Sequence, residues 1–174
     1  KQIFSVEKES IIVFFAQLNT WIWDSLNIYI YEYNHSNYGD ISQRLIIMRD
    51  AYNQTNVAFS KVRLIVDDSE LVKAGHDAIK KTLALHHFAE GLLKRLSSTL
   101  GWEKILVDQI VNKQVDFRNI TTELRDFYKE QAKQHEADKK EITDEYFAKH
   151  SEHFQPVMEA ENGFKIIATK YLRK

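Results

Sequence analysis

Seven histidines and no cysteine set the limits of the chemistry this chain can do. Without a thiol there are no disulfides, no thiolate metal sites, no cysteine nucleophile and no covalent c-type haem attachment. Several histidines stand at helical spacing from a carboxylate or another histidine: Glu32 with His35, His86 and His87 with Glu90, and His150 with His153. A separation of three places two side chains on one helix face, which is how dimetal bundles pair Glu-x-x-His motifs from two helices. Glu32 and His35 form a single copy of that motif, so a dimetal centre is not expected. His87, Glu90, His150 and His153 fall on polar helix faces and read as solvated side chains. His86 falls in an apolar row and reads as a hydrogen-bonded core histidine. There is no Gly-x-Ser-x-Gly elbow and no Gly-rich phosphate loop. The residues therefore assign no catalytic group, no metal and no cofactor.

One short stretch carries an enzyme alternative. His76-Asp77-Ala78-Ile79-Lys80 resembles the signature of HD-type metal-dependent phosphohydrolases, an all-helical family. The resemblance spans five residues. It implies a metal held by His76 and Asp77 with an upstream histidine and a downstream aspartate, for which His35 and Asp138 are the candidates. A metal so held would supply hydroxide near neutral pH.

The elements that would have to position these groups are helices. Five glycines and one proline among 174 residues are too few for the turns of an all-β protein. The chain is expected to be a single domain over 1–174, all-α, an elongated antiparallel bundle of four or five main helices. A formal net charge of −1 gives no electrostatic footprint for nucleic acid or for a membrane surface.

The pattern that organises the chain is Ser10–Tyr33, its most apolar stretch, read as one continuous helix. Ile11, Phe15, Leu18, Ile22, Leu26, Tyr29 and Tyr33 run down the centre of its wide apolar face. Phe14, Trp21 and Ile28 lie on one flank, and Ile12, Trp23 and Ile30 on the other. Only Asp24 is charged between Ser10 and Glu32. The length would suit a membrane span of about 20 residues, but Gln17, Asn19, Asp24 and Asn27 cluster mid-segment, and a central bundle helix is expected instead.

Asn34–Asp40 is a run of turn formers, with Asp40 and Gln43 in the spacing of a capping box. The next helix carries a heptad seam of Ile41, Leu45, Met48, Tyr52, Thr55, Phe59, Val62 and Val66. After a capped turn at Asp67–Ser69, a third helix bears two stripes. Leu71, Gly75, Ala78, Thr82, Leu85, Ala89, Leu92 and Leu96 mix small and large residues, letting a neighbouring backbone come close. Val72, Ile79, His86, Leu93 and Leu100 recur every seventh residue. Gly101 is expected to close this helix in a left-handed cap, with a further segment from Trp102 to Val115; one continuous bent helix is the alternative. A fourth pattern begins near Asn119 or Thr121. From Lys129 to Glu141 it is almost wholly polar, a solvated helix held by pairs such as Glu136 with Lys140. Pro156 reads as a break or kink, and Val157, Ala160, Phe164, Ile167 and Tyr171 as a final packed stripe.

Function then rests on surfaces and cavities. Trp21, Trp23, Tyr29 and His86 are the residues expected to line an apolar pocket or a partner surface. The reading is a non-catalytic interaction or small-ligand-sensing bundle. Its expected partners are a protein, a further copy of itself or an apolar small ligand. The chain begins at Lys1, so it is read either as a processed mature protein or as a piece of something longer, and the reading leans to the soluble part of an exported or membrane-tethered protein, associated with a membrane only through a removed anchor.

Overall fold

The computed structural model describes residues 2–112 and 119–173. The chain is an all-α helical bundle, 90% helical, with four helices and no strand among the described residues. They are α1 (Gln2–Leu26), α2 (Asp40–Ile65), α3 (Ser69–Asn112) and α4 (Thr122–Leu172), with a 3-10 turn at Ile30–Glu32. Two compact units are built from them: residues 1–28, 44–90 and 149–174 form the first, 29–43 and 91–148 the second.

The first unit holds a piece of all four helices. Phe14 of α1 meets Phe59 of α2 at 4.9 Å between ring centroids, and Trp21 meets Tyr52 at 5.1 Å. The second contact lies further along α1 and further back along α2, so the two run antiparallel. The same reversal relates α1 to α4, where Phe14 packs on Phe164 and the Tyr171 hydroxyl donates to Glu7 Oε2 at 3.0 Å. It also relates α2 to α3, where Phe59 lies beside Gly75 and Tyr52 beside His86. The result is an up-down-up-down arrangement around Phe14, Leu18, Trp21, Val62, Leu85 and Phe164, all buried.

Every residue of the long α3 stripe from Leu71 to Leu96 is buried, as its spacing predicts. At Gly75, however, it is a side chain that comes close, not a backbone. A Cβ there would stand 2.5 Å from Phe59 Cε2. The start of α3 is also as read, since Asp68 Oδ1 accepts the Leu71 N–H at 3.0 Å.

The second unit pairs the later part of α3 with the earlier part of α4. Arg95 binds Glu141 and Glu145, and Lys139 donates to Glu103 at 3.1 Å, again in antiparallel order. Leu92, Leu93, Leu96, Leu100, Leu106 and Ile142 form its apolar interior. Thr121 caps α4, its hydroxyl accepting the Leu124 N–H at 3.3 Å.

Several expectations are corrected. α1 does not run on to Tyr33: it ends at Leu26, and Tyr29 sits in the left-handed region at φ 48, ψ 44. The reason lies far along the chain. The Arg44 guanidinium donates through Nη2 to the Asp24 and Asn27 carbonyls at 2.8 and 2.9 Å, satisfying helix-end groups that continued winding would otherwise have bonded. The buried face of α1 is also rotated from its expected centre. Ile11, Phe14, Leu18, Trp21 and Ser25 face inward at alternating steps of three and four, while Trp23 and Ile12 are exposed.

Gly101 does not close α3, which continues to Asn112; no described glycine has positive φ. Of the segment expected to reach Val115, residues 113–115 lie outside the described residues. α4 passes through Pro156 unbroken. Val157 and Phe164, both fully buried, supply the packing that offsets the backbone bond a proline removes. Asp40 is the first helical residue of α2, its N–H already held by the Asn37 carbonyl at 2.9 Å, so it is not the cap. Glu136 pairs with Lys139 and Lys140 with Asp144, in place of the expected Glu136 and Lys140 pair.

Candidate functional site

Of the residues singled out from the sequence, the structure brings Trp21 and His86 together in the first unit. Trp21 Nε1–H donates to His86 Nδ1 at 3.1 Å, linking α1 to α3 through the core. Tyr52 of α2 completes a three-ring cluster, 5.1 Å from Trp21 and 6.0 Å from His86 between centroids. Trp21 is 0% exposed, so no part of its surface meets a water-sized sphere. It therefore borders no cavity that a small molecule could occupy, and the expected pocket beside it is filled by Tyr52 and His86.

The far side of His86 continues the network. His86 Nε2 lies 4.0 Å from Glu90 Oε2, and the same oxygen lies 3.6 Å from His87 Nδ1. The indole fixes the tautomer. It is a donor only, so Nδ1 must offer its lone pair and the single proton of a neutral imidazole must sit on Nε2, facing Glu90. His86 is buried and His87 is on the surface, one residue apart on α3, because Leu85, His86 and Ala89 share the inward arc and His87 falls outside it. Glu90 reaches both rings since it stands four residues from one and three from the other. Among the described residues, these three form the group of histidine and acidic side chains with donor atoms close enough to share a metal ion.

The residues of the phosphohydrolase signature are placed otherwise. His76 and Asp77 are exposed on α3 in the first unit, lining an open groove of about 400 Å³ with Glu70, Lys73 and Lys80. His35 and Asp138 belong to the second unit.

Trp23 does not join Trp21 in the core. Tyr29 belongs to the second unit and is 39% exposed. Trp23, 62% exposed, stands on the outer face of α1 with Ile12 at 52% and Val13 at 41%. Ala16, Asn19 and Thr20 complete that face. At its lower edge Asp24 approaches Arg44 at 3.5 Å; loss of hydration raises its carboxyl above the ordinary carboxylate range, and the Arg44 charge offsets only part of this.

The sequence reading missed a second apolar surface. In the second unit, Trp102, Ile105 and Leu106 of α3 and Phe127, Gln131 and His135 of α4 line an open groove of about 430 Å³. Its only signal in the sequence is the Trp102 and Ile105 pair immediately after Gly101, in what reads as a separate segment. Among the described residues, no helix is long and apolar enough to cross a membrane. Comparison with protein-family models, with curated proteins and with solved structures returned no match for the chain.

Proposed function

We propose that this chain is a non-catalytic interaction module that self-associates through the outer face of α1. The observation that supports the reading is the composition of that face. No residue between Glu9 and Asp24 is charged, although 28% of the chain is, and Trp23 and Ile12 are left mostly open to water. Scattered exposed apolar residues are ordinary, but a charge-free helical seam anchored by an aromatic has the composition of an interface core. Keeping such area in water costs about 25 cal/mol per Å², which a covering helix would recover.

The spacing favours a second copy as the cover. Ile12, Ala16, Asn19 and Trp23 are separated by four, three and four residues, a series that reads the same in both directions. A two-fold axis crossing α1 between Ala16 and Asn19 therefore sets Ile12 against Trp23 of the other copy, and Ala16 against its Asn19. The large side chains fall at the ends and the small ones where the helices come nearest. That is the self-complementarity an isologous helix pair requires.

Sedimentation analysis over a range of concentrations tests this. The chain should pass from monomer to dimer, and Ile12→Lys with Trp23→Lys should keep it monomeric without changing its helical circular dichroism, because both side chains are exposed. A chain that stays monomeric up to about 1 mM, corresponding to less than about 4 kcal/mol of association free energy, removes the proposal. So does a dimer that ignores both substitutions.

A further inference from the structure

The His86, His87 and Glu90 group has the spacing of a coordination sphere. Donor atoms bound at about 2.0–2.2 Å to one tetrahedral zinc-sized cation stand roughly 3.3–3.6 Å from each other. Glu90 Oε2 is already 3.6 Å from His87 Nδ1 and 4.0 Å from His86 Nε2, and all three donor atoms lie within 4.8 Å of one another, so side-chain rotation alone can bring the group to that geometry. Two imidazoles and one carboxylate suit a first-row transition cation rather than calcium or magnesium, which take all-oxygen shells. All three residues lie within two turns of one helix, so the backbone holds them in register whether or not a cation is present.

We propose that His86, His87 and Glu90 bind a divalent cation of the zinc class, and that binding is coupled to the buried indole of Trp21. The coupling follows from proton placement. With Trp21 Nε1–H donating to Nδ1, the His86 proton occupies Nε2, the atom the cation needs. Binding at Nε2 moves that proton to Nδ1, so His86 stays neutral and releases none. Nδ1–H then faces Nε1–H, donor against donor, and the Trp21 hydrogen bond is lost. Metal-bound histidines ordinarily donate their second N–H to an acceptor; here the position is taken by a donor, which weakens the site and makes its occupancy legible at Trp21. Trp21 is fully enclosed, so no water replaces the bond. The site is independent of the α1 seam, whose residues face the other way.

The test is zinc chloride titrated into the intact chain at pH 7.5, followed by calorimetry and by the indole N–H signals of the three tryptophans in a nitrogen-15 spectrum. One zinc should bind per chain. The Trp21 signal should move in step with saturation while those of the exposed Trp23 and Trp102 stay in place. His87→Ala, at an exposed position that leaves the core untouched, should weaken binding by at least about tenfold and move the Trp21 response to correspondingly higher zinc. His86→Gln, whose amide oxygen can still accept from Trp21, should weaken binding as much while keeping the Trp21 signal near its zinc-free position. Failure to bind at about 1 mM zinc overturns the proposal, as does binding at full strength in His87→Ala. Zinc bound with the Trp21 signal unmoved overturns the coupling.

Discussion

Replacing Gly75 with alanine should destabilise the bundle although alanine is the better helix former. On propensity alone the change would gain about 1 kcal/mol in a helix interior. The added methyl, however, would lie 2.5 Å from Phe59 Cε2 and 3.3 Å from two further atoms of that ring, against an ordinary carbon contact of about 3.5–4.0 Å. The ring must retreat by roughly 1 Å, and its way is blocked. Phe59 is buried against Phe14 at 4.9 Å, and Phe14 in turn meets Phe164 edge-on at 5.0 Å. Overpacking of this kind costs about 1–3 kcal/mol. Set against the propensity gain, the net expectation is a loss of about 0–2 kcal/mol in urea-induced unfolding. The sharper measurement is a double-mutant cycle. Phe59→Leu alone opens space; combined with Gly75→Ala it should cost less than the sum of the two single changes by more than about 0.5 kcal/mol, since the methyl then occupies room the ring has vacated. A single Gly75→Ala variant stabilised by the full propensity term, or a cycle that is additive, would refute the reasoning.

Two further outcomes follow from the end of α1. Arg44→Met should cost about 1.5–3 kcal/mol, because the Asp24 and Asn27 carbonyls lose a charged donor, and it should raise hydrogen exchange at Asn27, whose N–H binds Trp23 O; a change under about 0.5 kcal/mol would show that the guanidinium does not end the helix. Asp24 is the opposite case. Loss of hydration raises its carboxyl above 3.8 and Arg44 only partly offsets this, so the folded chain holds the proton more tightly than the unfolded one. Stability tied to this group therefore falls as pH rises from 3.8 through the folded value, and stays lowered above it. Asp24→Asn should be at least as stable as the parent at pH 7, with the two converging below about pH 3.8 in denaturant titrations; an asparagine variant less stable at pH 7 would mean that the Arg44 pair is net stabilising.

How far the sequence could be read depended on whether a signal was local. The third-helix stripe from Leu71 to Leu96 was legible residue by residue, because burial on a long helix repeats its period and nothing else competes. The capped turn at Asp67–Ser69 was legible because donor and acceptor lie three residues apart, although the same spacing misled at Asp40, which lies inside α2. The end of α1 was not, because the group that satisfies its carbonyls is Arg44, which lies 20 residues beyond Asp24 and 17 beyond Asn27. Hydrophobic period alone runs through Leu26 without interruption, and Tyr29 in a left-handed conformation is a position no propensity would assign to tyrosine. Gly101 and Pro156 misled in the other direction. Each is a helix breaker in isolation, and each lies in a helix whose neighbours bury enough apolar surface to carry it through.

The candidate site shows the same division. His86 in an apolar row announced a core histidine, but its partner could not be read from the row, since Trp21 lies 65 residues away on another helix. The breadth of the apolar face on α1 left its orientation open: a helix apolar over most of its girth can bury either arc. Steps of three and four from Ile11 through Phe14, Leu18 and Trp21 fit the neighbouring helices, and choosing that arc necessarily leaves Ile12, Val13 and Trp23 outside. The surplus of apolar residues that makes Ser10–Trp23 look like a buried core element is thus divided between two tasks. One arc is spent on the interior of this chain. The other has no charge to hold it in water, so either a second surface covers it or the fold bears the cost of leaving it bare.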